Sequence, residues 1–318
     1  MNQQSNEIGV PEDPSMLVEL QHGINTHDLS QIVSVLKDDK IALLRDVDPK
    51  AADATMCGVA NILDLSETLQ IHAGFADLRG HRHNVGEYFM SVNNRTDFQF
   101  IPPHSEGDSF VGMQLSAFHC YENSTDGGET ILMNVNSDTA AWQSLREKGR
   151  RARLRPQTPL SPQSIKRARL QYQVQLPADL AREDDQILSE HPTDIAGLSI
   201  CEVLAKPRKT HSKILNKDLY AYWDSVASID FDSGIEFERL LRESGLLKTP
   251  TGHGYMLDNA SERRIWRSGV RFADIFARKI TRKLHKGELI IQNNMTWTHA
   301  ASNWTPLSGS RKIAACFA

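Results

Sequence analysis

The stretch that most restricts the fold runs from Tyr88 to Val135. It holds four short β-rich runs, YFMSV, FQFI, FVGMQLSAFHCY and ETILMNV, separated by NNRTD, PPHSEGDS and NSTDGG. Parallel strands need crossovers of a dozen or more residues, and these gaps are too short for them. Closely spaced strands with Asn, Asp, Gly and Pro between them point to an antiparallel sandwich or jelly roll rather than βαβ units. The last thirty residues repeat the texture: ELIIQ, the turn Asn293-Asn294, MTWTH and KIAACFA. A single sheet system that takes its final strands from the far end of the chain explains both blocks. The expected class is α+β, mainly β.

Helical signals flank these blocks. Asp28 is placed to cap a helix whose inner face carries Leu29, Ile32, Val33 and Leu36, with Gln31 at the capping-box position. IALLRDV from Ile41 reads as a buried strand. Residues 51–65 return to helical spacing through Met56, Val59, Ala60 and Leu63. Residues 138–155 read as a helix followed by a basic tail, and 262–286 carry helical spacing through Ile265, Phe272, Ile275, Phe276, Ile280 and Leu284, stopped by Gly287. The expected organisation is one catalytic domain, 1–318, with a helical and loop insertion over about 140–285.

Within that insertion, nine Lys/Arg and one acid lie between Arg146 and Arg169, around the Pro-rich PQTPLSPQ. The acidic ADLAREDDQILSE nearby balances them. A solvated face or a lid over an active site suits this segment better than a nucleic-acid patch. The net charge of −4 also argues against a general nucleic-acid binder. The start MNQQSNEIGVPEDPS lacks the basic and apolar regions of a signal peptide, and no apolar run is long enough to span a membrane. Four scattered cysteines, Cys57, Cys120, Cys201 and Cys316, fit free thiols in a cytoplasmic protein. A small-molecule partner is expected, with no nucleic acid and no membrane. Whether the chain forms a homo-oligomer stays open.

In IPPHSEGDSF, His104 and Glu106 stand two apart. Composition alone supplies about one or two such His-x-acid pairs, so the pair means little by itself. On a strand, however, positions i and i+2 face the same way, and a nitrogen and a carboxylate oxygen could reach one ion. His299, at the end of GELIIQNNMTWTH, is the best third ligand, because an apolar strand end is a costly place for an idle imidazole. Two His and one carboxylate on one face of an ion are the arrangement of non-haem Fe(II) oxygenases. Such iron commonly draws electrons from a chelated α-keto acid, whose far carboxylate needs a fixed cation. Arg311, in SGSRKIAACF, is placed for that clamp. His81-Arg82-His83 and His119-Cys120 look like ligand clusters on paper. Neighbours in an alternating strand face apart, however, so His119 and Cys120 are poor joint ligands. Trp223, Trp266 and Trp297 read as core.

Taken together, these motifs resemble the Fe(II)/2-oxoglutarate dioxygenases of the taurine dioxygenase and clavaminate synthase type. That family shows a proximal H-x-D/E, then a G-G-D/E-T turn, here Gly127-Gly128-Glu129-Thr130. A D/N-N pair precedes its distal His, here Asn293-Asn294 ahead of His299. An S-R-x-L/I-x-x-C-Y/F segment follows, here SRKIAACF at 310–317. Each motif alone is weak; four in order over residues 30–318 are specific. The resemblance implies a double-stranded β-helix (cupin-like jelly roll) with flanking helices. It implies Fe(II) on His104, Glu106 and His299, 2-oxoglutarate held by Arg311 and Thr130, and O₂ as oxidant.

The family's halogenating members lack the carboxylate, so Glu106 implies hydroxylation of an unactivated C–H bond. Desaturation, epoxidation and cyclisation use the same residues. Ala314, Ala315 and Cys316 stand where taurine enzymes carry a sulfonate-binding Arg, which implies a different substrate. A role in specialised-metabolite biosynthesis is expected. The rival readings are a cupin-like hydrolase or isomerase without 2-oxoglutarate and a non-catalytic jelly-roll binding protein.

Overall fold

A computed structural model describes residues 10–21, 25–75, 82–92, 101–107, 112–135, 137, 139–141, 146–155, 159–206, 209–222, 239–248 and 272–318. They group into two compact units, 1–142 with 208–318 and 143–207. No described helix is long and apolar enough to cross a membrane.

The larger unit is built on two sheets. The first has six strands: β1 (Leu17–Leu20), β2 (Ile41–Leu44), β3 (Met90–Ser91), β5 (Leu115–Asn123), β13 (Leu289–Asn293) and β15 (Arg311–Phe317), in the order β1-β2-β13-β5-β15-β3. The second holds β4 (Ile101–His104), β6 (Thr130–Val135), β12 (Phe276–Arg282) and β14 (Trp297–Ala301), in the order β12-β6-β14-β4. Every pair except β1-β2 is antiparallel. Each sheet thus mixes mid-chain strands with strands from the last 45 residues. One apolar cluster draws Ile41, Phe118 and Ile290 from the first sheet and Leu132, Ile280 and Trp297 from the second, so the sheets share a core.

A second cluster lies on the other face of the six-stranded sheet. There α1 (Thr26–Lys37), α2 (Pro49–Ile62) and α3 (Ser66–Phe75) place Leu36, Met56, Val59 and Leu69 against Ala117, Ile291 and Cys316. Burying each large aliphatic side chain contributes roughly 1.5–3 kcal/mol relative to exposure. The cap of α1 is not Asp28 but Asn25, whose Oδ1 accepts from the Asp28 N–H at 3.0 Å. The Asp28 carboxylate in turn accepts from the Asn25 side-chain Nδ2, a side-chain contact that leaves the capping box expected at Gln31 unformed. Asp48 and Pro49 start α2. A hairpin of β10 (Lys209–Ser212) and β11 (Lys217–Tyr220) completes the described strands of this unit.

The smaller unit pairs β7 (Glu147–Leu154), β9 (Leu198–Ala205) and β8 (Gln186–Pro192) in that order, with a helix at Pro162–Tyr172. It has its own core of Ala152, Ala168, Val174, Leu198 and Ile200.

Two segments are strands where none was expected. Residues 147–154, in the basic tail expected after a helix, form β7 through eight continuous register pairs with β9. Residues 276–282 form β12, paired with β6. Phe276, Ile280 and Leu284 are spaced by four, a multiple of the strand period that also fits one helix face, so spacing could not separate the two. Where it is described, the 140–285 segment holds the strands β7 to β12 alongside helix and loop. Ile265 lies outside the described residues.

Candidate metal centre

His104 and His299 meet because β4 and β14 are antiparallel neighbours with these two residues directly opposed. Their rings lie 4.2 Å apart, centroid to centroid. β14 is pinned on its other side by β6, where His299 faces Leu132. Phe118 and Phe317, from the opposite sheet, approach His299 at 4.6 and 6.2 Å. The buried ring of His299 is thus fixed in place.

Glu106 arrives differently from what alternation along a strand suggests. β4 ends at His104, and Ser105 and Glu106 follow in a bend that turns at Gly107, φ +89°. Asn294 holds that bend. Its Nδ2 donates to the Glu106 and Met113 carbonyls, each at 2.8 Å, and its Oδ1 accepts from the Glu106 N–H at 3.2 Å. Asn294 thus secures the backbone of Glu106 just ahead of β14. Glu106 Oε1 lies 3.7 Å from His104 Nε2. Ligand atoms of His104, Glu106 and His299 all fall within 4.8 Å of one another, the only such group of three among the described residues.

The electrostatics suit a cation. Burial holds the His299 imidazole well below its ordinary pKa, so it is neutral with a free lone pair. Its Nδ1 is buried and has no hydrogen-bond partner among the described residues. Burial would raise the Glu106 carboxyl, but the His104 contact and the Arg82 charge outweigh it and keep the group ionised. Two imidazoles and a carboxylate, with one buried nitrogen unpartnered, fit a divalent transition metal.

The triad opens into a cavity of about 70 Å³ that Thr130 and Arg311 also line. Thr130 is buried and its hydroxyl has no partner among the described residues. Arg311 opens β15; its Nε donates to the Gly128 carbonyl at 3.1 Å, and its guanidinium lies 5.9 Å over the Trp304 ring. Burial lowers its pKa to about 10, so it stays protonated at neutral pH. No described carboxylate comes within ion-pair distance of it. A sheltered guanidinium without an acid partner is a site for an anion.

The Gly-Gly turn makes room for it. Gly128 has φ +71°, and a Cβ there would sit 2.8 Å from Arg311 Cδ. A Cβ on Gly127 would meet the Asn303 carbonyl at 2.2 Å. Gly128→Ala is expected to cost roughly 1–2 kcal/mol from the left-handed backbone alone. It should also displace Arg311, weakening anion binding more than metal binding. Denaturant midpoints and separate titrations of the two ligands check this.

Arg82 was not singled out in the sequence. It lines the same cavity, and its Nη2 donates to Glu106 Oε1 at 3.1 Å. Its only signal was its place between His81 and His83, and His81 lies outside the described residues. His119 is buried with Nε2 2.8 Å from the Val47 carbonyl, and Cys120 points into the intersheet core, so the two do face apart. Trp297 is core, its Nε1 donating to the Asp39 carbonyl at 3.0 Å. Trp223 and Trp266 lie outside the described residues.

Beneath Phe317 stands His72, edge-on at 4.9 Å, with neither ring nitrogen partnered among the described residues. Burial pushes its pKa down from 6.5 to about 4. The unfolded chain therefore binds more protons between those values. The stability contribution is complete above pH 6.5 and is lost as pH falls towards 4. We expect a loss on the order of 2 kcal/mol between pH 7 and 5, and a shallower slope in His72→Leu, by urea denaturation at both pH values.

No protein-family model matches the chain, and no curated protein matches it. Several solved structures match it over most of its length. PvcB, an Fe, alpha-ketoglutarate-dependent oxygenase from an isonitrile synthetic pathway, is 10% identical, covering 95% of this chain and 84% of that one, with a TM-score of 0.43. AAD-2, solved with Mn(II) and N-oxalylglycine, is 11% identical, covering 95% and 92%, with a TM-score of 0.40. A taurine dioxygenase from Burkholderia xenovorans is 12% identical, covering 94% and 84%, with a TM-score of 0.39. These structures include oxygenases of the type that the sequence motifs resemble. At this depth of likeness nothing about metal, cosubstrate or substrate passes from them to this chain, and the functional reading rests on the site.

Proposed function

We propose that the protein is an Fe(II)- and 2-oxoglutarate-dependent oxygenase acting on a small molecule, with the two facing sheets as a double-stranded β-helix. The observation that carries this is the convergence of His104, Glu106 and His299 in a cavity shared with Arg311, which has no acid partner among the described residues. In this reading the three residues hold the metal on one face. Arg311 takes the distal carboxylate of 2-oxoglutarate through its fork, and the Thr130 hydroxyl, without a partner among the described residues, donates to the same group. Bound there, ferrous iron would supply O₂ activation, with one substrate C–H becoming C–OH while 2-oxoglutarate yields succinate and CO₂. The chain's residues position and exclude. Phe118, Ile313 and Phe317 wall the cavity with apolar surface, which keeps bulk water from the reacting centre. The carboxylate of Glu106 favours hydroxylation over halogenation. We place the reaction in specialised-metabolite biosynthesis and the protein in the cytoplasm, consistent with its free thiols.

The test is succinate formation by the purified protein with Fe(II), 2-oxoglutarate and O₂, first alone and then across a metabolite panel. Succinate that requires all three supports the reading. Turnover of a panel compound without 2-oxoglutarate would favour a metal hydrolase or isomerase instead.

A further inference from the structure

Beyond its contact with Glu106, Arg82 has no task in the scheme above. Among the described residues that line the cavity and carry a formal charge, there are two guanidiniums, Arg82 and Arg311, and one carboxylate, Glu106. A divalent ion and the doubly charged 2-oxoglutarate cancel each other. An excess of one positive charge among these described lining residues then remains. The keto-diacid's carboxylates are both committed, one to the metal and one to Arg311.

The position of Arg82 separates it from Arg311. Its Nη1 lies 3.7 Å from Met90 Sδ, and Met90 on β3 pairs with Ala315 on β15. Ala315 is four residues from Arg311, about 13 Å along a strand. A guanidinium carries five N–H donors, and the described contacts of Arg82 use one on Glu106 and one, weakly, on a thioether. The side chain is 25% exposed and faces the cavity, so its remaining donors can be reached from the substrate side.

We infer that Arg82 is the substrate's anchor, and that the substrate carries a single acid group, a carboxylate, bound by Arg82 beside the metal. This rests on the oxygenase reading and adds the substrate class to it. An acid held there sets the neighbouring carbons close to the metal. The contact between Arg82 and Glu106 ties that subsite to the metal ligand set.

The probe is propionate, with propionamide as its uncharged match, titrated anaerobically into the protein preloaded with Fe(II) and 2-oxoglutarate. The readout is the change in the visible charge-transfer band. We expect propionate to perturb the band with an apparent affinity roughly tenfold or more above propionamide. Arg82→Gln should erase that preference, and Arg82→Lys should keep part of it. Equal behaviour of the two probes, binding of neither, or an unchanged preference in Arg82→Gln would overturn the assignment. Failure of the wild-type protein to form the band before any probe is added would be a failure of the oxygenase reading, and the inference would fall with it.

Discussion

His299→Ala is expected to lower Fe(II) affinity by more than about 100-fold and to reduce succinate formation to background. Loss of a residue that merely orients a ligand already costs 10–100-fold in metal affinity, and His299 is placed as a ligand itself. The fold should survive. β14 keeps its backbone pairing with β6 and β4, and the lost ring leaves a gap against Phe118 and Phe317 worth roughly 1–3 kcal/mol. A calorimetric Fe(II) titration beside a thermal melt separates the two effects. Wild-type iron affinity in a folded His299→Ala protein would remove this residue from the site.

The second large effect belongs to Arg311→Ala. 2-Oxoglutarate binding should weaken by roughly 100-fold, about 3 kcal/mol, as expected when one partner of a sheltered charge pair is truncated. Iron affinity should change little, because Arg311 has no described contact with the triad. Arg311→Lys should restore only part of the loss, since a single ammonium cannot both bond the Gly128 carbonyl and fork onto a carboxylate. Equal weakening of iron and 2-oxoglutarate would mean that Arg311 supports the fold of the site rather than the cosubstrate.

The sequence showed the triad because its chemistry is local at one end: a His-x-Glu after a proline break, and a lone His closing an apolar strand. Pairing of β4 with β14 follows from the two β-rich blocks belonging to one sheet system. Arg311 was legible as the cation a keto acid's far carboxylate needs, and the Gly-Gly turn only through the family motif; the structure adds that a Cβ on Gly128 would sit 2.8 Å from Arg311 Cδ. Arg82 was not legible. A single arginine in a loop carries no periodicity, and only the turn of the chain toward β3 brings it to Glu106. The strands β7 and β12 were missed because a basic tail and a spacing of four do not reveal a partner strand 50 or 140 residues away. Pairing, which settled both, is a property of two segments rather than one.

The most direct test is an anaerobic titration of the metal-free protein with Fe(II), followed by 2-oxoglutarate. The account predicts saturation at one iron per chain, then a visible charge-transfer band that saturates at one 2-oxoglutarate per iron. No saturable iron binding, or iron binding with no band at any 2-oxoglutarate concentration, would contradict it.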